Sequence, residues 1–251
     1  MNFFSLLKRY LIYNLKKKTS IDQEDFNKKT LEELFHHYGS DKANIFLKTN
    51  KEGHGYSSFY LKHLNNLKDK KINILEIGSF SGASAAAFAK YFAKSNVFCF
   101  DINISNFEYI SKKIHVYGLD ANNETKVKKT LKKIFNTYNF NNFDLIIDDG
   151  SHNLLDILSN LNFFFKYLNK GGNYIIEDFK HPNYYEYNRR DINHIFVDQF
   201  LDNIKKKNIS KSTIFDYNNQ KYLMNEIDFI DVGKGNLTDS DICLIKKKWI
   251  K

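Results

Sequence analysis

The chain has 251 residues, 42% hydrophobic and 16% aromatic, enough to bury the core of one large domain with or without an extension. Its net charge is +9, almost all of it from lysine, and arginine occurs only at positions 9, 189 and 190. Arginine is favoured for bidentate recognition of phosphates and bases, so the charge is discounted as evidence for a nucleic-acid partner. No apolar run reaches the roughly 18 residues that a membrane span needs, so no transmembrane helix is expected.

Residues 1–70 are predicted to form a helical N-terminal extension that covers a cofactor. The first eighteen residues place apolar side chains at helical spacing beside a basic cluster. We expect this helix to pack on its own domain or on a second subunit, which favours a homo-oligomer. Peripheral contact with an anionic membrane through residues 1–18 stays open.

From residue 71 to 251 the pattern changes to short apolar runs that alternate with helices. This alternation predicts a mostly parallel sheet with helices on both faces, an α/β fold. After a predicted helix at about 189–207, two runs at 226–232 and 241–248 have no helix between them and are expected to pair as an antiparallel hairpin. Cys99 and Cys243 each lie in such apolar runs, so two buried reduced thiols and a cytoplasmic location are expected.

Ligands of open α/β sheets bind beyond the carboxyl ends of the strands. The first run ends in the glycine-containing loop 76–84, and the helix after it offers free N–H groups to an anion. The next two runs end at Asp101, which is suited to a ribose diol, and at Asp120-Ala121, which are placed to flank an adenine. Each feature alone also fits a tight turn or a solvated strand end, but in chain order all three fall on one edge.

A second set of polar residues follows the fourth and fifth runs. Asp148 and Asp149 alternate faces at the end of "FDLIIDD", and Glu177-Asp178 end "GNYIIED". Neighbouring strands lie about 4.8 Å apart, so Asp149 is expected beside Glu177 and Asp178. Three crowded carboxylates need a cation, and oxygen ligands suit Mg²⁺ or Mn²⁺. His152 would lie at the rim as a proton acceptor. Helix capping and a surface histidine are the alternative reading.

Several stretches together resemble one family over about residues 36–180. They are "LEIGSFSGAS", "FDLIIDDGSH" and "LNKGGNYIIEDF", with "YGSDK" and "HGYSSFY" upstream. They resemble the macrocin and mycinamicin sugar O-methyltransferases, a family of class I S-adenosylmethionine (SAM) methyltransferases. The resemblance implies a Rossmann-like fold with a seven-stranded, mostly parallel sheet and a C-terminal antiparallel hairpin, which would make residues 71–251 the SAM-binding domain.

The same resemblance implies a divalent ion held by Asp149, Glu177 and Asp178, and catalysis by His152 as general base together with Asp149. Tyr56 would help to close over the cofactor. The other cofactor contacts would be Glu76, Gly78, Ser79, Gly82, Ser84, Asp101, Asp120, Ala121 and Asp148.

The implied activity is methylation of a sugar hydroxyl, on a nucleotide-linked sugar or on a precursor used in surface or capsular polysaccharide biosynthesis. The lysine excess, with Arg189 and Arg190, would attract a diphosphate on such an acceptor. A non-sugar phosphorylated metabolite satisfies the same charges. An RNA methyltransferase and a non-catalytic SAM-binding subunit are weaker alternatives.

Overall fold

The protein, seen in a computed structural model, is described over residues 3–26, 29–189 and 194–249 and is built around one seven-stranded sheet. The strands are β1 (Ile72–Ile77), β2 (Ser95–Asp101), β3 (Ile114–Gly118), β4 (Phe143–Asp148), β5 (Leu168–Glu177), β6 (Ile227–Lys234) and β7 (Asp241–Lys247). Their order in the sheet is β6-β7-β5-β4-β1-β2-β3, in which β1 to β5 are parallel and β7 runs antiparallel to both of its neighbours, β5 and β6. The predicted fold class, including the C-terminal hairpin, is therefore confirmed.

The carboxyl ends of the central strands are aligned by register. Ile77 of β1 pairs with Asp148 of β4, and Asp148 pairs with Ile176 of β5. The residues that follow these positions therefore meet at one edge of the sheet, which brings Asp149 and Glu177 together as the sequence predicts.

Helices cover both faces of the sheet. The predicted helix at 189–207 is wrong in length: a helix spans only Val197–Lys205, because Phe196 has extended backbone at φ −64° and ψ 159°. Arg190 lies outside the described residues. The helices are α1 (Phe3–Leu15), α2 (Leu31–Tyr38), α3 (Ser57–Leu64), α4 (Ala83–Tyr91), α5 (Glu124–Tyr138), α6 (Leu154–Phe164), α7 (His181–Tyr184), α8 (Val197–Lys205) and α9 (Tyr217–Glu226).

The core has two layers because successive side chains of each strand point to opposite faces. Leu75 and Ile146 pack with α5, α6, α8 and α9, whereas Ile74 and Leu145 pack with α2, α3 and α4. The N-terminal helices α2 and α3 thus share a core with the sheet. The domain boundary at residue 70 stays a prediction. Cys99 and Cys243 are buried and free, as expected.

Helix α1 packs only partly on its own domain. Lys16 donates a hydrogen bond from Nζ to the carbonyl of Asn106 at 2.9 Å, and the rings of Tyr13 and Phe107 are in edge contact. Phe4 and Leu15 remain exposed. Within the described ranges, neither α1 nor any other helix is long and apolar enough to cross a membrane.

Candidate active site

The turn after β1 brings two strand ends into direct contact. Gly78 has φ +86°, and a Cβ atom there would lie 2.0 Å from the carbonyl oxygen of Asp149. The Gly78 N–H bonds the carbonyl of Phe100 at 2.8 Å, and the Asp149 N–H bonds that of Ile77 at 2.9 Å. Glycine is required because another side chain would push the β1 and β4 ends apart.

Asp101 organises the loop after β1. Its carboxylate accepts hydrogen bonds from the backbone N–H groups of Phe80, at 2.7 Å, and Asn103, at 2.5 Å. Burial raises the pKa of Asp101, and these two backbone donors lower it. Asp101 therefore fixes the loop and still has lone pairs free for a ligand hydroxyl.

Two cavities meet at this edge and share Gly78, Asp101 and Gly150. One has a volume of about 330 Å³ and the other about 310 Å³. The shared residues make the two cavities neighbours, and we call the pair the groove and each cavity a lobe. Among the predicted cofactor residues, Gly78, Asp101, Asp120 and Ala121 line the first cavity, and Gly78, Ser79, Ser84 and Asp101 line the second.

Glu76 and Gly82 support this groove from behind. Glu76 is fully buried and accepts a hydrogen bond from Ser84 Oγ at 2.5 Å, while its Oε2 atom has no partner. Burial raises the pKa of Glu76 to about 7. Gly82 has φ +79° at the start of α4, where a Cβ would press within 2.4 Å of the Phe107 ring. Neither residue lines the groove, so Glu76 and Gly82 would have to act on the cofactor through the residues that do line it.

Asp148 points away from Asp149, as strand alternation predicts. Its two oxygens accept hydrogen bonds from Asn160 Nδ2 at 3.2 and 3.1 Å. Burial raises the pKa of Asp148 to about 7. Asn160 lines the first cavity and Asp148 does not, so Asp148 acts on that cavity by orienting Asn160.

The carboxylates at the ends of β4 and β5 surround a lysine. Lys42 is 1% exposed, and its Nζ atom lies 2.5 Å from Asp149 Oδ2 and 2.6 Å from Glu177 Oε2. Burial alone would lower the pKa of Lys42, but the neighbouring carboxylates raise it well above its ordinary value. Burial and the nearby charge of Asp149 raise the pKa of Glu177.

Two tyrosines complete the hydrogen bonds of this cluster. Tyr60 donates its hydroxyl proton to Glu177 Oε1, and Tyr56 donates to Asp178 Oδ1. Both tyrosines are buried. The structure thus places Tyr56 against a carboxylate predicted to bind metal, and Tyr56 lines neither cavity of the groove.

Histidines border the cluster on its other side. His152 Nε2 lies 3.8 Å from Asp149 Oδ1, and His152 also lines the second cavity. His181 Nε2 is buried without a hydrogen-bond partner, 3.8 Å from Asp178 Oδ1. One ligand atom each of His152, Asp178 and His181 lies within 4.8 Å of the others, close enough to share a cation.

Backbone strain concentrates around this site. Phe80, His152 and Asp178 have φ of +44°, +54° and +51°, a region that side chains other than glycine rarely adopt. Such strain persists only where the surrounding structure imposes it, and it clusters at functional sites.

Lys42, Tyr60 and His181 were not assigned a role from the sequence. Lys42 and Tyr60 belong to "YGSDK" and "HGYSSFY", the upstream stretches of the family resemblance. The sequence therefore marks both stretches, but it does not indicate which residues they contact. They lie more than a hundred positions from the carboxylates that they contact. His181 follows "IED" by three residues, the same spacing that separates His152 from Asp149.

The donor set fits a divalent cation. Asp149, Glu177 and Asp178 carry three negative charges when ionised, and Lys42 supplies one positive charge, which leaves two negative charges. Buried charges are unfavourable unless compensated. Carboxylate oxygens suit Mg²⁺ or Mn²⁺, whereas the histidine nitrogens would add preference for softer metals.

Known proteins share the fold of this chain and part of its sequence. Residues 75–179 match the family described as "Methyltransferase domain". The MycE methyltransferase from the mycinamycin biosynthetic pathway, solved in complex with Mg and SAH, superposes with a TM-score of 0.64 at 18% identity, covering 88% of this chain and 55% of that chain. That likeness shows the fold.

Two curated relatives share sequence with this chain. One is an 8-demethyl-8-alpha-L-rhamnosyl tetracenomycin-C 2'-O-methyltransferase of Streptomyces olivaceus, 26% identical over 56% of this chain and 35% of the relative. The other is an L-olivosyl-oleandolide 3-O-methyltransferase of Streptomyces antibioticus, 29% identical over 50% of this chain and 32% of the relative. The chain thus spans about a third of the length of these relatives. The resemblance expected from the sequence is confirmed, and the chain has the fold of the class I methyltransferases.

Proposed function

We propose that this chain is a SAM-dependent O-methyltransferase that methylates a sugar hydroxyl with the help of Mg²⁺ or Mn²⁺. The observation that carries the proposal is the meeting of Asp149, Glu177 and Asp178 beside a groove that contains Gly78 and Asp101. The MycE structures, which contain Mg and SAH, and the names of the curated relatives support the same chemistry.

The groove would hold SAM across its two lobes. Asp101 would accept hydrogen bonds from the ribose hydroxyls, and Asp120-Ala121 would lie against the adenine. Ser79 and Ser84 lie in the other lobe, near the start of α4, where N–H groups favour a carboxylate. Leu119 and Asn122 supply further surface to the first lobe.

Asp149, Glu177 and Asp178 would hold the divalent ion, and His152 would accept the proton of the acceptor hydroxyl at Nε2. SAM supplies the methyl group, and a divalent ion lowers the pKa of a hydroxyl bound to it. Asp149 Oδ1 lies 3.8 Å from His152 Nε2, so its charge stabilises the imidazolium that forms. His152 lines the second cavity, and its backbone has φ +54°.

The acceptor is proposed to be a sugar with a vicinal diol, on a nucleotide-linked sugar or a surface or capsular glycan precursor. The relatives named above act on deoxysugar units of larger natural products. Two of the guanidinium donors of Arg189 bond the carbonyls of Pro182 and Asn183, which leaves fewer of its donors for a diphosphate. Lys48, which lines the second cavity, is the better placed cation for a charged acceptor.

A cytoplasmic enzyme is proposed from the two free, buried cysteines, and a homo-oligomer from the exposed apolar side chains of α1. Neither proposal is needed for the chemistry. Analytical ultracentrifugation of the full chain tests the oligomer, and a single species of monomer mass would reject it.

Ligand binding tests the cofactor part of the proposal. SAM or SAH at 100 times its Kd should stabilise the folded protein by about 2.7 kcal/mol and raise its melting temperature. NAD and ATP, which also suit sheet-edge grooves, are the matched controls. A shift with NAD and none with SAM or SAH would overturn the cofactor assignment.

A further inference from the structure

Lys42 is buried at the centre of the carboxylate cluster. Lysine is rarely fully buried unless it is paired, and the Lys42 ammonium uses two of its three donors on Asp149 and Glu177. The two ion pairs bridge β4 and β5 from a segment that lies outside the sheet. The ammonium thus lies between two residues proposed to ligate the divalent ion.

The backbone of Lys42 is held in place, so its ammonium is not a loosely placed surface charge. The Lys42 carbonyl accepts the N–H of Tyr56 at 2.9 Å, and the neighbouring Asp41 carbonyl accepts that of His54 at 2.7 Å. Gly53 passes so close that a Cβ there would lie 2.3 Å from the carbonyl of Ala43. Backbone hydrogen bonds therefore join residues 40–43 to residues 53–56, and together these two segments hold Lys42 against the carboxylate cluster.

The charges around Lys42 give it a specific role. Without an ammonium, Asp149 and Glu177 would be two buried like charges that repel each other. With it, both side chains are held by hydrogen-bond donors: Lys42 donates to both of them and Tyr60 donates to Glu177. The same positive charge would repel a divalent ion held by these carboxylates.

We propose that the Lys42 ammonium is a permanent positive charge within the metal site. It holds Asp149 and Glu177 together before the divalent ion binds, and it opposes the binding of that ion. This inference rests on the proposed function. Lys42 is a positioning residue, because it acts through the two carboxylates.

The test measures metal binding to Lys42→Met without SAM or acceptor. Removal of a unit charge a few ångströms from a divalent ion should tighten binding by about 10-fold or more, even with strong screening. Mn²⁺ is followed by electron paramagnetic resonance and Mg²⁺ by calorimetry. In EDTA the variant should melt below wild type, and Mg²⁺ should raise its melting temperature more than that of wild type.

Lys247→Met is the matched control. Lys247 is also buried, at 3% exposure, but its ammonium donates to the carbonyls of Phe165 and Leu168, away from the cluster. This variant should lose the same stability in EDTA and in Mg²⁺, with wild-type metal affinity. The comparison separates loss of a buried lysine from loss of a cation in the metal site.

A second pair of variants covers the case in which Lys42→Met does not fold. Lys42→Met with Glu177→Gln removes the charge from both partners, which is tolerated better than leaving one buried charge alone. It should bind Mn²⁺ about 10-fold more tightly than Glu177→Gln alone.

Unchanged or weaker metal binding in both comparisons overturns the inference. If wild type binds neither Mg²⁺ nor Mn²⁺, the proposed function fails instead. If wild type binds the metal and the lysine variants bind it no more tightly, only the role of Lys42 fails.

Discussion

Asp101 Oδ2 accepts a 2.7 Å hydrogen bond from the backbone N–H of Phe80. The carboxylate proposed to bind the ribose therefore also holds the loop that forms the rest of the groove. Phe80 adopts φ +44° with its ring exposed, a strained backbone conformation that this bond helps to hold. The proposed ribose contact of Asp101 would therefore couple ligand binding to the order of the loop.

Asp101→Ala should weaken SAH binding by about 10-fold or more, since it removes the ribose acceptor and leaves two backbone N–H groups unpaired. Calorimetry with SAH measures the change. Asp216→Ala is the control: Asp216 caps α9 through the Asn219 N–H at 2.7 Å, far from the groove. The control should lose about 1 kcal/mol of stability and no SAH affinity. Equal SAH affinity in Asp101→Ala and wild type would reject the coupling.

Gly78→Ala should disrupt the site more than it disrupts the fold. The added Cβ would meet the Asp149 carbonyl and force a left-handed backbone on alanine, a cost of roughly 1–3 kcal/mol. Displacement of Asp149 should weaken both SAH and Mn²⁺ binding. Gly118→Ala, where φ is unstrained and the nearest atom is the flexible end of Ile104 at 3.0 Å, should retain both. Normal ligand binding in Gly78→Ala would contradict the account.

His152→Asn should lower kcat by about 10²–10⁴ and leave Mn²⁺ and SAH affinity near wild type, the pattern of a lost general base. Asparagine tolerates the left-handed backbone of this position. His63→Asn, on a histidine paired with Asp231 outside the groove, is the control. Loss of Mn²⁺ affinity in His152→Asn would instead identify His152 as a ligand in the His152, Asp178 and His181 group.

The free energy of unfolding should depend on pH through the titration of His115, which lies outside the active site. Burial lowers the pKa of His115 to about 4, whereas the unfolded chain titrates near 6.5. Between these values the unfolded state binds the extra proton. The stability from this group is therefore complete above about pH 6.5 and is lost as the pH falls towards 4.

His115→Gln removes this titration. Urea unfolding of wild type and variant between pH 7 and 4 should show a steeper loss for wild type at the acid end. Parallel curves would mean that His115 does not contribute.

The fold was predictable because its signals are local. Buried parallel strands appear as unbroken apolar runs, and the absence of a helix between 226–232 and 241–248 indicated the hairpin. The register of Ile77, Asp148 and Ile176 then follows from neighbouring strands. Helix α8 is shorter than predicted because helical periodicity does not show where an extended residue such as Phe196 delays the start of a helix.

The site was predictable only in part, since its remaining contacts join distant segments. Asp149, Glu177 and His152 follow strand ends and could be placed together from topology. The contact of Lys42 with these carboxylates and that of Tyr60 with Glu177 depend on how the N-terminal segment folds over the sheet. No periodicity of the sequence encodes that arrangement. The ligand roles of Asp149, Glu177 and Asp178 stay predictions.

A panel of candidate acceptors tests the proposal that the substrate is a sugar. A free deoxysugar, a nucleotide-linked sugar, a deoxysugar glycoside and a non-sugar phosphate diol are compared at equal concentration with SAM and Mg²⁺. Methylation of any sugar form, located by mass spectrometry, supports the proposal. Methylation of the phosphate diol alone would move the substrate class to phosphorylated metabolites.

Metal-dependent methyl transfer is measured most directly as SAH release from SAM with this sugar panel, in Mg²⁺ and then in EDTA. We expect turnover with at least one sugar in Mg²⁺, no turnover in EDTA, and recovery when Mg²⁺ or Mn²⁺ is restored. Full turnover in EDTA would contradict it, because Asp149, Glu177 and Asp178 would then serve only to bind Lys42, Tyr60 and Tyr56.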